Sequence, residues 1–167
     1  MIKFLSIMEP ENYRNLPLFK KAEEILNMVQ RITDLIPEEN EMLKSTGDFM
    51  MADALKLPAK IAGAEGADLY DIRMENAAII RKSARDIYVF CNHFFADDFK
   101  ETEYLHLLRD TIEEFRVLFA EWVKTFDEWN YIIDRWGLFN PPGINYDDKD
   151  PDDDIPFDNP FEGDDSD

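Results

Sequence analysis

From Leu105 to Trp136 the chain places an apolar or aromatic residue every three or four positions: Leu105, Leu108, Ile112, Phe115, Phe119, Trp122, Phe126, Trp129, Ile133 and Trp136. Steps of three and four mark one face of an α-helix, whose turn takes about 3.6 residues. The spacing predicts a helix over residues 103–135, roughly 50 Å long at about 1.5 Å per residue. Its aromatic stripe is read as core. A rod of that length with so wide an apolar face needs partners along its whole extent, and the rest of the chain has to supply them.

Upstream segments have the same character. Between Pro17 and Pro141 structure is punctuated only by Pro37, Gly47, Pro58, Gly63, Gly66 and Gly137. Leu18, Ala22, Ile25, Val29, Ile32 and Ile36 step by four and three and define a first helix, which Pro37 ends. A second helix is expected from Pro37 to Ala62, with Leu43, Met50, Ala54, Leu57 and Ile61 inward and a bend at Pro58, where a backbone donor is missing. Gly63-Ala64-Glu65-Gly66 is read as the connection to a third helix. Asp68 would N-cap that helix, and Ile72, Ile79, Ile80, Ile87, Phe90, Cys91 and Phe94 would form its apolar face. No alternating run of β-branched residues suggests a sheet. The expectation is all-α: an up-down-up-down four-helix bundle over residues 16–136, an N-terminal arm over 1–15, and a disordered Pro/Asp-rich acidic tail over 137–167.

A 45% hydrophobic content over 167 residues supports one core rather than two. The 37 acidic and 18 basic residues leave a net charge of -19. Residues 147–167 carry eleven acids and Lys149, or -10, so residues 1–146 hold 26 acids and 17 bases, or -9. That balance disfavours RNA and anionic lipid as partners. The single cysteine, Cys91, permits no internal disulfide or cysteine zinc cluster and fits a reducing cytoplasm. The apolar run Ile2 to Met8 is stopped by Glu9-Pro10 before it reaches the length of a signal sequence, and no membrane span of about 20 apolar residues follows.

Leu57-Pro58-Ala59-Lys60-Ile61-Ala62-Gly63-Ala64-Glu65-Gly66 resembles the "IPxNIAEG" signature of the four-helix-bundle proteins encoded in ribosomal RNA intervening sequences and of the accessory variability proteins of diversity-generating retroelements. Arg81-Lys82-Ser83-Ala84-Arg85-Asp86 is similar to that family's "ARGSxxE", and Phe19-Lys20-Lys21-Ala22 to its opening "WKKA". The resemblance spans about Leu16 to Trp136. It implies a bundle that assembles into a ring-shaped homopentamer and, in the retroelement branch, binds reverse transcriptase and RNA through basic surface. The spacing around Gly63 and the acidic charge depart from the family pattern.

Candidate binding residues follow from charge and apolar surplus. Arg81, Lys82 and Arg85 lie within about one helical turn, and antiparallel pairing would bring Arg73 near Lys56 and Lys60; the six read either as a site for a phosphate or acidic partner or as a solvated face. Leu107, Leu118, Val123 and Ile132 lie off the main stripe of the fourth helix and suggest a subunit interface. Asp152-Asp153-Asp154-Ile155-Pro156-Phe157 resembles the acidic tip of bacterial single-stranded-DNA-binding proteins, which docks on basic-rimmed apolar pockets, although there the Phe is C-terminal and here ten residues follow it. Glu103 and His106 have the spacing of half a di-iron motif, but a second Glu-x-x-His is absent. Two histidines and one cysteine assemble no nucleophile–base pair, so no metal, cofactor or enzyme activity is expected. The resulting expectation is a homo-oligomeric accessory protein of a nucleic-acid-processing system, with an acidic decoy acting through the tail as the alternative.

Overall fold

A computed structural model describes residues 12–154. After a short 3-10 turn at Asn12–Asn15 come α1 (Pro17–Asp34), α2 (Glu41–Ala67), α3 (Tyr70–Ala96) and α4 (Thr102–Val123), with no strand among the described residues. The architecture is the expected all-α four-helix bundle. Short connections fold consecutive helices back on one another, and α1 closes against α4, so each helix touches two neighbours. The α2–α3 seam is the most extensive and the α3–α4 seam the thinnest.

The apolar stripes reach the centre as their periods require, except that Ile72, expected on the apolar face of α3, is exposed near the start of that helix. Leu18, Ala22, Ile25, Val29 and Ile32 of α1, Leu43, Met50, Ala54, Leu57 and Ile61 of α2, Ile80, Ile87, Cys91 and Phe94 of α3, and Leu105, Leu108, Ile112 and Phe115 of α4 are all buried. Gly47 allows α1 and α2 to approach: a Cβ there would stand 2.8 Å from Ile36 Cδ1 and 3.2 Å from Thr33 Cγ2. No described helix is long and apolar enough to cross a membrane.

Four boundaries differ from expectation. Residues 35–40 form a turn, and α2 starts after Asn40, whose side-chain oxygen accepts the Leu43 amide at 3.0 Å. At its other end α2 continues through Pro58, Gly63 and Gly66 to Ala67. Two glycines cost it roughly 1 kcal/mol each in propensity, but burial of Ile61 and Ala64 in the α2–α3 seam outweighs that cost. Asp68 is therefore the C-cap of α2 in a left-handed conformation, φ 53°, and not the N-cap of α3; Leu69 holds that place without a side-chain cap. Most consequentially, α4 stops at Val123, and residues 124–154 run on as a succession of turns. The chain thus has defined turns well past Gly137, where the tail was expected to begin; Ile155, Pro156 and Phe157 lie outside the described residues.

Candidate functional site

The thin α3–α4 seam opens a groove of about 520 Å³. Small residues on both helices, Ala84 and Ala120, leave the space, while Ile112, Phe115, Phe119 and Val123 give it an apolar floor. Arg81, Arg85 and Arg116 stand at its edge. Arg116 is paired with Glu113 at 2.9 Å, whereas no ion pair within the described residues engages Arg81 or Arg85. An apolar trough edged by uncompensated guanidinium groups suits a ligand that is both apolar and anionic, because burial and charge pairing then act together.

The six cations expected to act together are divided. Arg81 and Arg85 share the groove, joined by Arg116, which sequence reasoning did not single out. Lys56 pairs with Asp53 at 3.0 Å, and the same carboxylate accepts Ser83 Oγ at 3.1 Å. Lys82 pairs with Asp86 one turn on, and that hydrogen bond holds the ammonium pKa above its ordinary value. Lys60 has no ion pair in the described residues. Arg73 is withdrawn from any surface patch: its Nη2 donates to Glu65 Oε1 at 2.6 Å, its guanidinium lies 4.5 Å from the Phe126 ring centre, and its Nε is buried without a hydrogen-bond partner. Trp122 Nε1 donates to the same Glu65 oxygen at 2.6 Å. Glu65, Arg73, Trp122 and Phe126 thus form a structural clasp joining α2, α3 and the end of α4.

The segment after α4 departs furthest from the helix expected there. Phe126-Asp127-Glu128-Trp129-Asn130-Tyr131-Ile132 is followed directly by Ile133-Asp134-Arg135-Trp136-Gly137-Leu138-Phe139, a tandem repeat of seven residues. In each unit the first residue is buried, Phe126 and Ile133 at 6% and 5% exposure. The aspartate folds back to accept the amide two residues on, Trp129 on Asp127 Oδ1 and Trp136 on Asp134 Oδ1, both at 2.9 Å. The tryptophan points outward, Trp129 at 90% and Trp136 at 96% exposure, contrary to their expected place in the core. Asp134 also accepts Leu138 N at 2.9 Å and Phe139 N at 2.8 Å; these backbone donors, with Phe139 the strongest, hold its carboxyl pKa below the ordinary value. Trp136, Leu138 and Phe139 form a hollow with Asp71, Glu75 and Asp134. The signal for the repeat lay in the sequence: Asp two residues before each Trp and Asn or Gly just after it, which is turn chemistry.

The proposed interface residues fall in different places. Leu107 is 55% exposed on α4, Leu118 and Val123 pack partly against the core, and Ile132, also 55% exposed, belongs to the turn segment. Asp152, Asp153 and Asp154 are exposed, and Lys149 Nζ reaches both Asp154 carboxylate oxygens, at 2.7 and 2.8 Å. Cys91 is buried, and desolvation raises its thiol pKa against the opposing influence of Arg109. Among the described residues no group of three His, Cys, Asp or Glu side chains can hold a metal ion. No family model, curated protein or solved structure matches the chain.

Proposed function

We propose that this chain is a non-enzymatic adaptor whose α3–α4 groove holds an acidic, apolar segment of a protein partner. One observation carries the reading: Arg81 and Arg85, without ion pairs inside the described chain, border an apolar trough that small residues keep open. The partner class we favour is a nucleic-acid-processing enzyme such as a retroelement reverse transcriptase, met in the cytoplasm. That choice rests on the resemblance of Phe19–Ala22, Leu57–Gly66 and Arg81–Asp86 to the accessory bundle family, which also motivates a homo-oligomer. RNA itself is a poor ligand for a chain of net charge -19.

A labelled peptide copying residues 151–158 supplies an acidic, apolar probe. Its titration onto the full chain is expected to saturate and to weaken with salt, because surface charge attraction is screened. Reversing Arg81, Arg85 and Arg116 to Glu together should abolish binding while helical circular dichroism is retained. Binding that survives the reversal removes the groove from consideration.

The exposure of Asp152, Asp153 and Asp154 favours a second reading, an acidic decoy that fills a basic groove on its target. Removal of residues 151–167 separates the two. A decoy loses its target, and a groove-based adaptor keeps its partner.

A further inference from the structure

We infer that the partner of the α3–α4 groove includes a second copy of this chain, which inserts its Trp129–Trp136 turns between the arginines of Arg81, Arg85 and Arg116. This deepens the groove reading and rests on it. The two tryptophans are 90% and 96% exposed, yet the turns that carry them are built structures: each is anchored by a buried residue, Phe126 or Ile133, and closed by an Asp side chain. Indole surface held out in this way contributes little to the fold of its own chain and is the kind of side chain that dominates protein contacts.

Charge identifies what would cover it. Asp127, Glu128 and Asp134 flank the tryptophans in sequence, Asp71 and Glu75 line the hollow beside Trp136, Leu138 and Phe139, and the adjacent Arg135 donates to the backbone oxygens of Tyr146 and Asp148 at 2.9 and 2.7 Å. The complementary surface needs cations around an apolar recess. The groove has Arg81 and Arg85, with Arg116 paired to Glu113, around Ala84, Phe115, Phe119 and Ala120, which leaves two cations without an ion pair in the described residues. There an indole would fill the trough while guanidinium groups meet ring faces and carboxylates, the contact that Arg73 already makes with Phe126 and Glu65 inside the chain. Because the two halves are different surfaces of one chain, the contact is head-to-tail and leads to a closed ring or an open filament. Two tryptophans bring roughly 150–250 Å² each, less than the ~1,000 Å² of a durable interface, so the association should be concentration-dependent.

The test is light scattering on the full chain between about 1 and 100 µM, a range that brackets weak association. Wild type should rise above its monomer mass of 19.6 kDa with concentration. Trp129→Ala with Trp136→Ala should lower the association constant at least about tenfold, as expected for anchor residues, and Arg81→Glu, Arg85→Glu and Arg116→Glu together should do the same. Circular dichroism, and the milder Arg→Gln triple, check that the groove variant is folded. Mixing the two variants is decisive: one retains an intact groove, the other intact turns, so the mixture should form a one-to-one dimer and go no further. A wild type that stays at monomer mass, a tryptophan variant that assembles like wild type, or a mixture that gives no dimer would each overturn the inference. Peptide binding in the groove by a monomeric wild type would leave the adaptor reading standing and remove only self-association.

Discussion

Helix α4 and the turns that follow it obey one spacing and take two structures. Up to Trp122 the residues at steps of three and four are inside because a helix winds them there, Phe119 alone being only partly buried. Beyond Val123 the spacing persists, but now a turn unit of seven residues produces it, with Phe126 and Ile133 inside and Trp129 and Trp136 outside. A period of seven is therefore ambiguous: two helical turns generate it, and so does a repeated short loop. What separates the regions is backbone chemistry. α4 is rich in Leu and Glu, which lose little on entering a helix, whereas the next segment presents Thr125, Asp127, Asn130, Ile132, Ile133, Asp134 and Gly137.

This contrast can be broken most forcefully in the helical half. Phe115→Ala empties a site that is 1% exposed and should cost about 3–5 kcal/mol in denaturant melts; a loss under ~1 kcal/mol would mean that the α3–α4 seam collapses to fill the space. Next is the clasp between the regions. Glu65→Ala leaves the Arg73 guanidinium, with its side chain 12% exposed, without its carboxylate, and about 3 kcal/mol of destabilisation is expected. A smaller effect belongs to Gly137, at φ 75° with Tyr146 beside it: Gly137→Ala should cost about 1–2 kcal/mol of local strain, read as faster amide exchange from Trp136 to Phe139.

Asp134 sharpens the comparison through pH. Its folded pKa is depressed, so its contribution is complete above the unfolded value near 3.9 and is lost as pH falls through the folded one. Below about pH 4 the amides of Trp136, Leu138 and Phe139 should begin to lose protection relative to their intrinsic exchange rates while α4 stays protected, and Asp134→Ala should show that loss at neutral pH. Equal loosening of α4 would show that the turns are not a separate unit. Smallest of all is Trp136→Ala: a side chain 96% exposed should shift monomer stability by no more than ~0.5 kcal/mol.

Helix number and core were legible because burial enforces a period: Ile25, Val29, Met50, Leu57, Ile87 and Leu108 are where that period puts them. Boundaries were legible only where local chemistry and packing agree. Gly63 and Gly66 favour a break, and the α2–α3 seam overrides them. Of the candidate site, Arg81 and Arg85 were recognisable as neighbours on one helix, but Arg116 reaches them through tertiary structure and could not be read from α3 alone. Arg73 was misplaced for the converse reason: its proximity to basic residues in α2 matters less than Glu65, Trp122 and Phe126, which the fold brings together.

The start of α3 has a bearing on the order in which the molecule is made. Leu69 supplies no side-chain cap; instead the Tyr70 amide donates to Asn130 O at 2.8 Å, Asn130 also donates its side-chain amide to Asp68 O, and Asp71 accepts the Ile132 amide at 3.3 Å. The groups that finish the α2–α3 corner lie about sixty positions later in the chain. During synthesis from the N-terminus α1, α2 and α3 emerge first, but the corner stays unfinished until the first tryptophan turn has been made, so a released chain truncated after Val123 would have all four helices and a frayed joint between the two longest.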